Sequence, residues 1–183
     1  MHCLSRSAER FKILTVSEGE TRSVGIFIGR HAFPGLTILL HGGLGMGKTL
    51  LTQGIGKSLG YTGIKSPTFI LVSEHEGKLP LIHADLYRLD SHVEADALDF
   101  EYYIDNGCVL VVEWAERWHT PPQTDTLDIT ITKENEDENS RAITVRASGK
   151  RAIETMNKFA DDVTEKSNKN EEDHEDPGNR LHN

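Results

Sequence analysis

Gly42, Gly47, Lys48 and Thr49 occupy every fixed position of the pattern G-x-x-x-x-G-K-[ST] within residues 36–51, LTILLHGGLGMGKTLL. Those residue types at that spacing suit one task, gripping a polyphosphate. Glycine removes side chains where backbone must bend around an anion, and Gly43 and Gly45 add two more such positions. A helix starting at the end of the loop offers unpaired N–H groups and the positive end of a dipole. Lys48 adds a mobile cation, and the Thr49 hydroxyl can complete a Mg²⁺ shell. The candidate nucleotide-binding segment is therefore Gly42, Gly43, Leu44, Gly45, Met46, Gly47, Lys48, Thr49 and Leu50. The plain alternative is a glycine-rich turn with an accidental Lys-Thr. Against it stand the strand-like run Leu36 to Leu40 before the loop and the helical spacing of Leu50, Leu51, Ile55 and Leu59 after it. A nucleoside triphosphate is the implied ligand.

Hydrolysis would need a metal and a group that positions water. Glu113 ends the apolar run Val109 to Val112, and Asp85 ends Leu81-Ile82-His83-Ala84. The carboxyl ends of parallel strands gather beside a phosphate loop, so both acids could reach the metal or the water. The structural alternative is an ion pair or a helix cap, and Arg88 is the obvious partner for Asp85. Thr68, on a loop beyond the phosphate-binding helix, could sense a γ-phosphate, or could be an ordinary hydroxyl after a proline. His83 reads as a packed strand histidine rather than a base, Trp114 as a wall of the nucleotide site or a core residue, and Cys108 as core. The chain Asn157-Lys158-Phe159-Ala160-Asp161 has its acid one residue too late for a guanine-selecting N-K-x-D motif, which favours adenine. No segment carries the several lid arginines of a small-molecule kinase.

The elements that must position these groups follow from periodicity. Residues 1–10 are polar and expected to be frayed. Phe11 to Val16 reads as a strand, and Ser17 with Glu20 makes a capping box for a helix to about Arg30, with Thr21, Val24, Phe27 and Ile28 facing inward. Lys65 to Val72 and Leu79 to Asp85 read as a β-hairpin turning at Glu76-Gly77-Lys78. Ser91 and Glu94 repeat the capping box for a short helix to Leu98, with another helical turn near Phe100 to Ile104. After Asn106-Gly107 comes the buried strand through Glu113. Thr126 to Thr132 and Ala142 to Ala147 close the fold as a hairpin, and residues 149–160 suit a last helix. The resulting expectation is an α/β chain with one domain over residues 11–160.

Of the net charge of −9, the segment 161–183 supplies −5, with eight acidic residues against three basic ones, and it is expected to be a disordered tail. The body is only mildly acidic, so no broad basic surface advertises direct nucleic-acid binding. Two cysteines, Cys3 and Cys108, make no disulfide framework and fit a reducing compartment. The first residues lack the apolar core of a secretory signal, and nothing approaches a membrane span, so the expected location is cytoplasmic.

The ordered motifs GGLGMGKT, KSPTF, HADLYRL and VLVVEWAER resemble those of the TsaE (formerly YjeE) family over about Phe11 to Lys150. An arginine approaching the second closing strand, Arg141, and the ending Ala147, Gly149, Arg151 agree with that likeness. The resemblance implies a P-loop NTPase fold with a mixed central β-sheet flanked by helices. It implies ATP and Mg²⁺ as ligands, with Thr49 and Glu113 holding the metal. Asp85 is then required for activity, Thr68 lies in a switch-like loop near the γ-phosphate, and Glu18 helps enclose the adenine. Lys48, Thr68, Asp85 and Glu113 are the candidate catalytic residues, and Glu18, Trp114 and Arg141 join the loop as nucleotide-binding candidates. Members of the family bind the TsaD–TsaB transferase heterodimer, hydrolyse ATP mainly in that complex, and support formation of threonylcarbamoyladenosine at position 37 of tRNAs reading ANN codons. The tRNA would be met through the partners. Three departures stand out: Gly43 replaces a common Asp, Leu50 a common second Thr, and Ala115 a common Pro. Two readings compete, an ATPase whose turnover drives repeated rounds of modification and a nucleotide-gated binding module in which occupancy alone controls the partner.

Overall fold

The computed structural model describes residues 1–89, 92–122, 124–134 and 137–172. Among these, eight strands join in one sheet: β1 (His2–Arg6), β2 (Arg10–Thr15), β3 (Thr37–His41), β4 (Val72–His75), β5 (Leu81–Asp85), β6 (Val109–Glu113), β7 (Thr126–Lys133) and β8 (Arg141–Ser148). Their spatial order is β1-β2-β8-β7-β3-β6-β5-β4. The ladders β7–β3, β3–β6 and β6–β5 are parallel, whereas β1–β2, β2–β8, β7–β8 and β4–β5 are antiparallel. Composition accounts for the division. β6 reads VLVVE and β3 TILLH, near-continuous apolar runs buried on both faces, whereas β8 alternates apolar and polar residues.

Helices α1 (Glu18–Arg30), α2 (Lys48–Ser58) and α5 (Lys150–Glu172) cover one face, where Val24, Ile28, Leu51, Ile55 and Phe159 pack with Ile38, Leu40 and Val111. On the other face, α3 (His92–Asp96), α4 (Phe100–Asp105) and the 3₁₀ turn Ala115–Arg117 bring Ala95, Phe100, Ala115 and Trp118 against Leu39, Leu110 and Val112. The capping box forms in its first half, and the return bond from Glu20 falls one residue before the cap. Ser17 Oγ accepts from the Glu20 N–H at 3.1 Å, and the Glu20 carboxylate reaches back to the Val16 N–H at 2.9 Å. Ser91, the expected cap of α3, lies outside the described residues.

Three elements differ from the sequence expectation. The N-terminus is not frayed, because β1 pairs with β2 and Arg6 donates to Asp161 at 2.6 Å and to the Asn157 carbonyl at 3.2 Å. Every β1 residue is exposed, so no hydrophobic pattern marks the strand. The first strand of the expected hairpin begins only at Val72. Before it the chain turns, with Ile70 and Leu71 both donating N–H to the Pro67 carbonyl and Leu71 at φ +63°. The last helix runs past Asp161 to Glu172, since Met156, Phe159, Ala160 and Val163 make a buried stripe among the charges. Residues 173–183 of the expected tail lie outside the described residues.

Where α1 crosses α2, both helices present glycine. A methyl on Gly54 would lie 2.1 Å from the Arg22 carbonyl oxygen, and one on Gly25 2.1 Å from that of Leu51. The two backbones thus pack directly, which fixes the start of α2 and the loop feeding it. Gly54→Ala is expected to destabilise the fold by about 1–3 kcal/mol, as forced overpacking does, measured by urea denaturation.

Candidate functional site

The loop between β3 and α2 bends at glycines that its path requires. Gly42 has φ +138°, and a side chain there would come within 2.5 Å of the Ile131 carbonyl oxygen. Gly47 caps α2 at φ +105°, a left-handed conformation that other residues adopt at a cost. From β8, Arg141 donates Nε to the Met46 carbonyl at 3.2 Å and Nη2 to that of Gly45 at 3.4 Å, bracing the loop from outside. Lys48 Nζ donates to the Gly42 and Gly43 carbonyls at 2.5 and 2.9 Å and lies 3.7 Å from the centroid of the Trp114 ring. Burial pushes the Lys48 ammonium down from its ordinary value, against the pull of Glu113, Glu116 and Asp85.

Two carboxylates meet that loop from the ends of neighbouring parallel strands. Asp85 and Glu113 are register partners across β5 and β6, and adjacent strands lie about 4.8 Å apart. They are 3% and 2% exposed. A carboxylate taken so far from water needs hydrogen-bond donors. Glu113 receives Thr49 Oγ1 on Oε2 at 2.8 Å, and on Oε1 Thr52 Oγ1 at 3.3 Å and His83 Nε2 at 2.8 Å. Asp85 Oδ2 receives the Ser66 hydroxyl and, at 2.6 Å, that of Thr68, while Oδ1 accepts the Tyr87 N–H at 3.0 Å. Neither acid has a lysine or arginine within ion-pair distance among the described residues. Arg88, the partner suggested for Asp85, instead lies over the Phe69 ring at 4.2 Å.

A cleft of about 460 Å³ is lined by the loop and the two acids, with Glu18, Leu50, Tyr87 and Trp114 also on its lining. That volume suits a small-molecule ligand. Trp114 sits at φ +59° with its ring 4.9 Å from that of Tyr87, lining the cleft while it packs against the core cluster beneath. Of the sequence candidates, the loop residues Leu44 to Leu50 with Glu18, Thr68, Asp85, Glu113 and Trp114 line one cleft, and Arg141 stands behind the loop. Four contributors escaped the sequence reading. Ser66 and Tyr87 lie within the quoted motifs, Thr52 is one helical turn from Thr49 on α2, and His41 stands at the end of β3. His83, read as a packed strand histidine, shares a strand face with Asp85 and reaches Glu113.

A mixed sheet whose central strand runs through a glycine loop into a helix, with acids at the ends of two neighbouring parallel strands, is the P-loop NTPase fold. Comparison with known proteins carries this further. The family model described as Threonylcarbamoyl adenosine biosynthesis protein TsaE matches residues 15–143. The chain belongs to the TsaE family. It is 39% identical over 145 residues to the tRNA threonylcarbamoyladenosine biosynthesis protein TsaE of Bacillus subtilis, spanning 78% of this chain and 89% of that one. Against the protein of that name from a Nostoc species it is 42% identical over 119 residues, 62% of this chain and 73% of the relative. The crystal structure of Bacillus subtilis YdiB superposes with a TM-score of 0.70 at 32% identity, covering 87% of this chain and 99% of that one.

His41 links the loop to the segment after β6. Its Nε2 lies 3.2 Å from Asp128 and its Nδ1 3.4 Å from Glu116. The hydrogen bond to Asp128, then that to Glu116, hold its pKa up at about 9 despite burial. The unfolded value is about 6.5, so this stabilisation is whole below that pH and is lost as pH rises through the folded value. Both acids are partly exposed, which screens the pairs. Between about pH 6.5 and 9 the wild-type unfolding free energy should fall by about 1–2 kcal/mol more than that of His41→Gln, read from denaturation curves at each pH.

Proposed function

We propose that this chain is a Mg²⁺-dependent ATPase that supports repeated rounds of threonylcarbamoyladenosine formation on tRNAs reading ANN codons, acting on a TsaD–TsaB transferase heterodimer. One contact carries the reading: the hydroxyl of Thr49, at the start of α2, meets the buried Glu113 carboxylate at 2.8 Å beside the Lys48 ammonium. A hydroxyl and a carboxylate are hard oxygen donors, and the carboxylate is buried with no lysine or arginine paired to it among the described residues. That set fits Mg²⁺, which takes one or two protein ligands and fills its shell with water and phosphate oxygens. Thr49 and Glu113 would hold the ion, whose charge would stabilise the negative charge developing on the phosphates.

The chain's own groups do the rest. The N–H groups of the loop and the start of α2 bind phosphate oxygens, and Lys48 neutralises the terminal phosphate. Asp85, held by Ser66, Thr68 and Tyr87, orients the attacking water. Glu18 and Trp114 bound the space for the adenine, and Arg141 keeps the loop in shape. Phe69 and Ile70, 83% and 69% exposed next to Thr68, offer an apolar contact for the transferase. A tRNA-modifying role puts the protein in the cytoplasm, and among the described residues no helix is long and apolar enough to cross a membrane.

The same exposed loop favours a second reading, in which nucleotide occupancy alone orders the partner surface and hydrolysis is incidental. Multiple-round tRNA modification with purified transferase subunits separates the two. ATP but not a non-hydrolysable analogue should sustain it, and full activity with the analogue would favour the gated module. Lys48→Ala is expected to weaken ATP binding on the order of 100-fold in calorimetry. Glu113→Ala and Asp85→Ala should still bind nucleotide while losing on the order of 100-fold in hydrolysis, and wild-type turnover in both would overturn their roles.

A further inference from the structure

Two of the donors on Glu113 are hydroxyls of the phosphate-binding helix; the third comes from the neighbouring strand and is unlike them. His83 is fully buried. Its Nε2 lies 2.8 Å from Glu113 Oε1, and its Nδ1 has no hydrogen-bond partner among the described residues. The orphan nitrogen decides which atom carries the proton. A carboxylate only accepts, so the contact requires Nε2–H. A proton on Nδ1 as well would bury an N–H without an acceptor, which is rarer and costlier than burying a bare lone pair. His83 is therefore a one-directional donor, aimed along β5 into the acid of β6.

Its consequence lies in which oxygen it takes. Oε1 is occupied by His83 and by Thr52, whose hydroxyl is shared with the Lys48 carbonyl at 3.1 Å. Oε2 is left with the hydroxyl of Thr49 alone, and Thr49 and Glu113 both line the cleft. We propose that His83 is a positioning residue for the metal site: its Nε2–H fixes the rotation of the Glu113 carboxylate so that Oε2, next to the Thr49 hydroxyl, is presented to the divalent cation. The inference rests on the reading above that Glu113 holds Mg²⁺. A packed strand histidine with no such role would affect folding but not the metal dependence of binding. Partners behind metal ligands typically change metal affinity by about 10–100-fold when removed.

The test measures binding of a fluorescent non-hydrolysable ATP analogue as Mg²⁺ is titrated, in wild type, His83→Leu and His83→Gln. Gln can place an N–H near the position of Nε2; Leu fills the space without a donor. His83→Leu should raise the Mg²⁺ concentration for half-maximal enhancement by about tenfold, leave metal-free analogue binding unchanged, and be largely rescued by Gln. Wild-type Mg²⁺ dependence in the Leu variant, or Gln no better than Leu, overturns the proposal. Should the Leu variant not fold, the wild-type ring decides: ¹⁵N NMR showing the proton on Nε2 and a bare Nδ1 supports it, and the opposite tautomer refutes it. Failure of wild type to bind the analogue at all would count against the ATPase reading instead, and the ring tautomer would still report on His83.

Discussion

Two negative charges buried side by side are the constraint around which this fold is arranged. Asp85 and Glu113 sit in register on adjacent strands, almost out of water, with no arginine or lysine paired to them among the described residues. Such burial is tolerable only because each oxygen is met by hydroxyl, ring or backbone donors. Those donors come from three elements: α2 through Thr49 and Thr52, the loop before β4 through Ser66 and Thr68, and β5 with its following turn through His83 and Tyr87. Satisfying the acids and building the cleft are thus one structural problem. The same low-dielectric setting would strengthen the pair's attraction for the cation proposed above.

The rest of the architecture holds those donors in place. Parallel pairing of β3, β6 and β5 brings their carboxyl ends to one edge, and the direct backbone contact at Gly25 and Gly54 sets where α2 begins. Arg141 and His41 then restrain the loop and the segment after β6 from outside the cleft. The loop and the segment after β6 are consequently braced by groups that do not line the cleft, a support needed where placement within a fraction of an ångström matters.

Much of this was legible in the letters, for physical reasons that also mark the limits. The phosphate loop, the two acids and the central strands could be read because each is a local pattern: glycines at fixed spacing, or an apolar run ended by a charge. β1 and the far half of α5 could not. β1 is held by backbone pairing and by ties to Asp161 and Asn157, more than a hundred residues away, with no apolar period to betray it. In α5 the charges outnumber the apolar residues, and Val163 prolongs the buried stripe only because a surface waits for it. His83 was seen, but its direction was not, since that depends on which oxygen of a side chain thirty positions away lies within reach. Thr68 could be read either as a phosphate sensor or as an ordinary hydroxyl after a proline, and its bond to Asp85 belonged to neither reading.

The lysine of the phosphate loop lies folded onto its own loop carbonyls and against the face of Trp114. An anion entering the loop competes for that ammonium and draws it from the indole. The chain has only one other tryptophan, Trp118, and it is buried against Phe100. Filling of the loop should therefore register in the intrinsic emission of Trp114, an optical signal that needs no label.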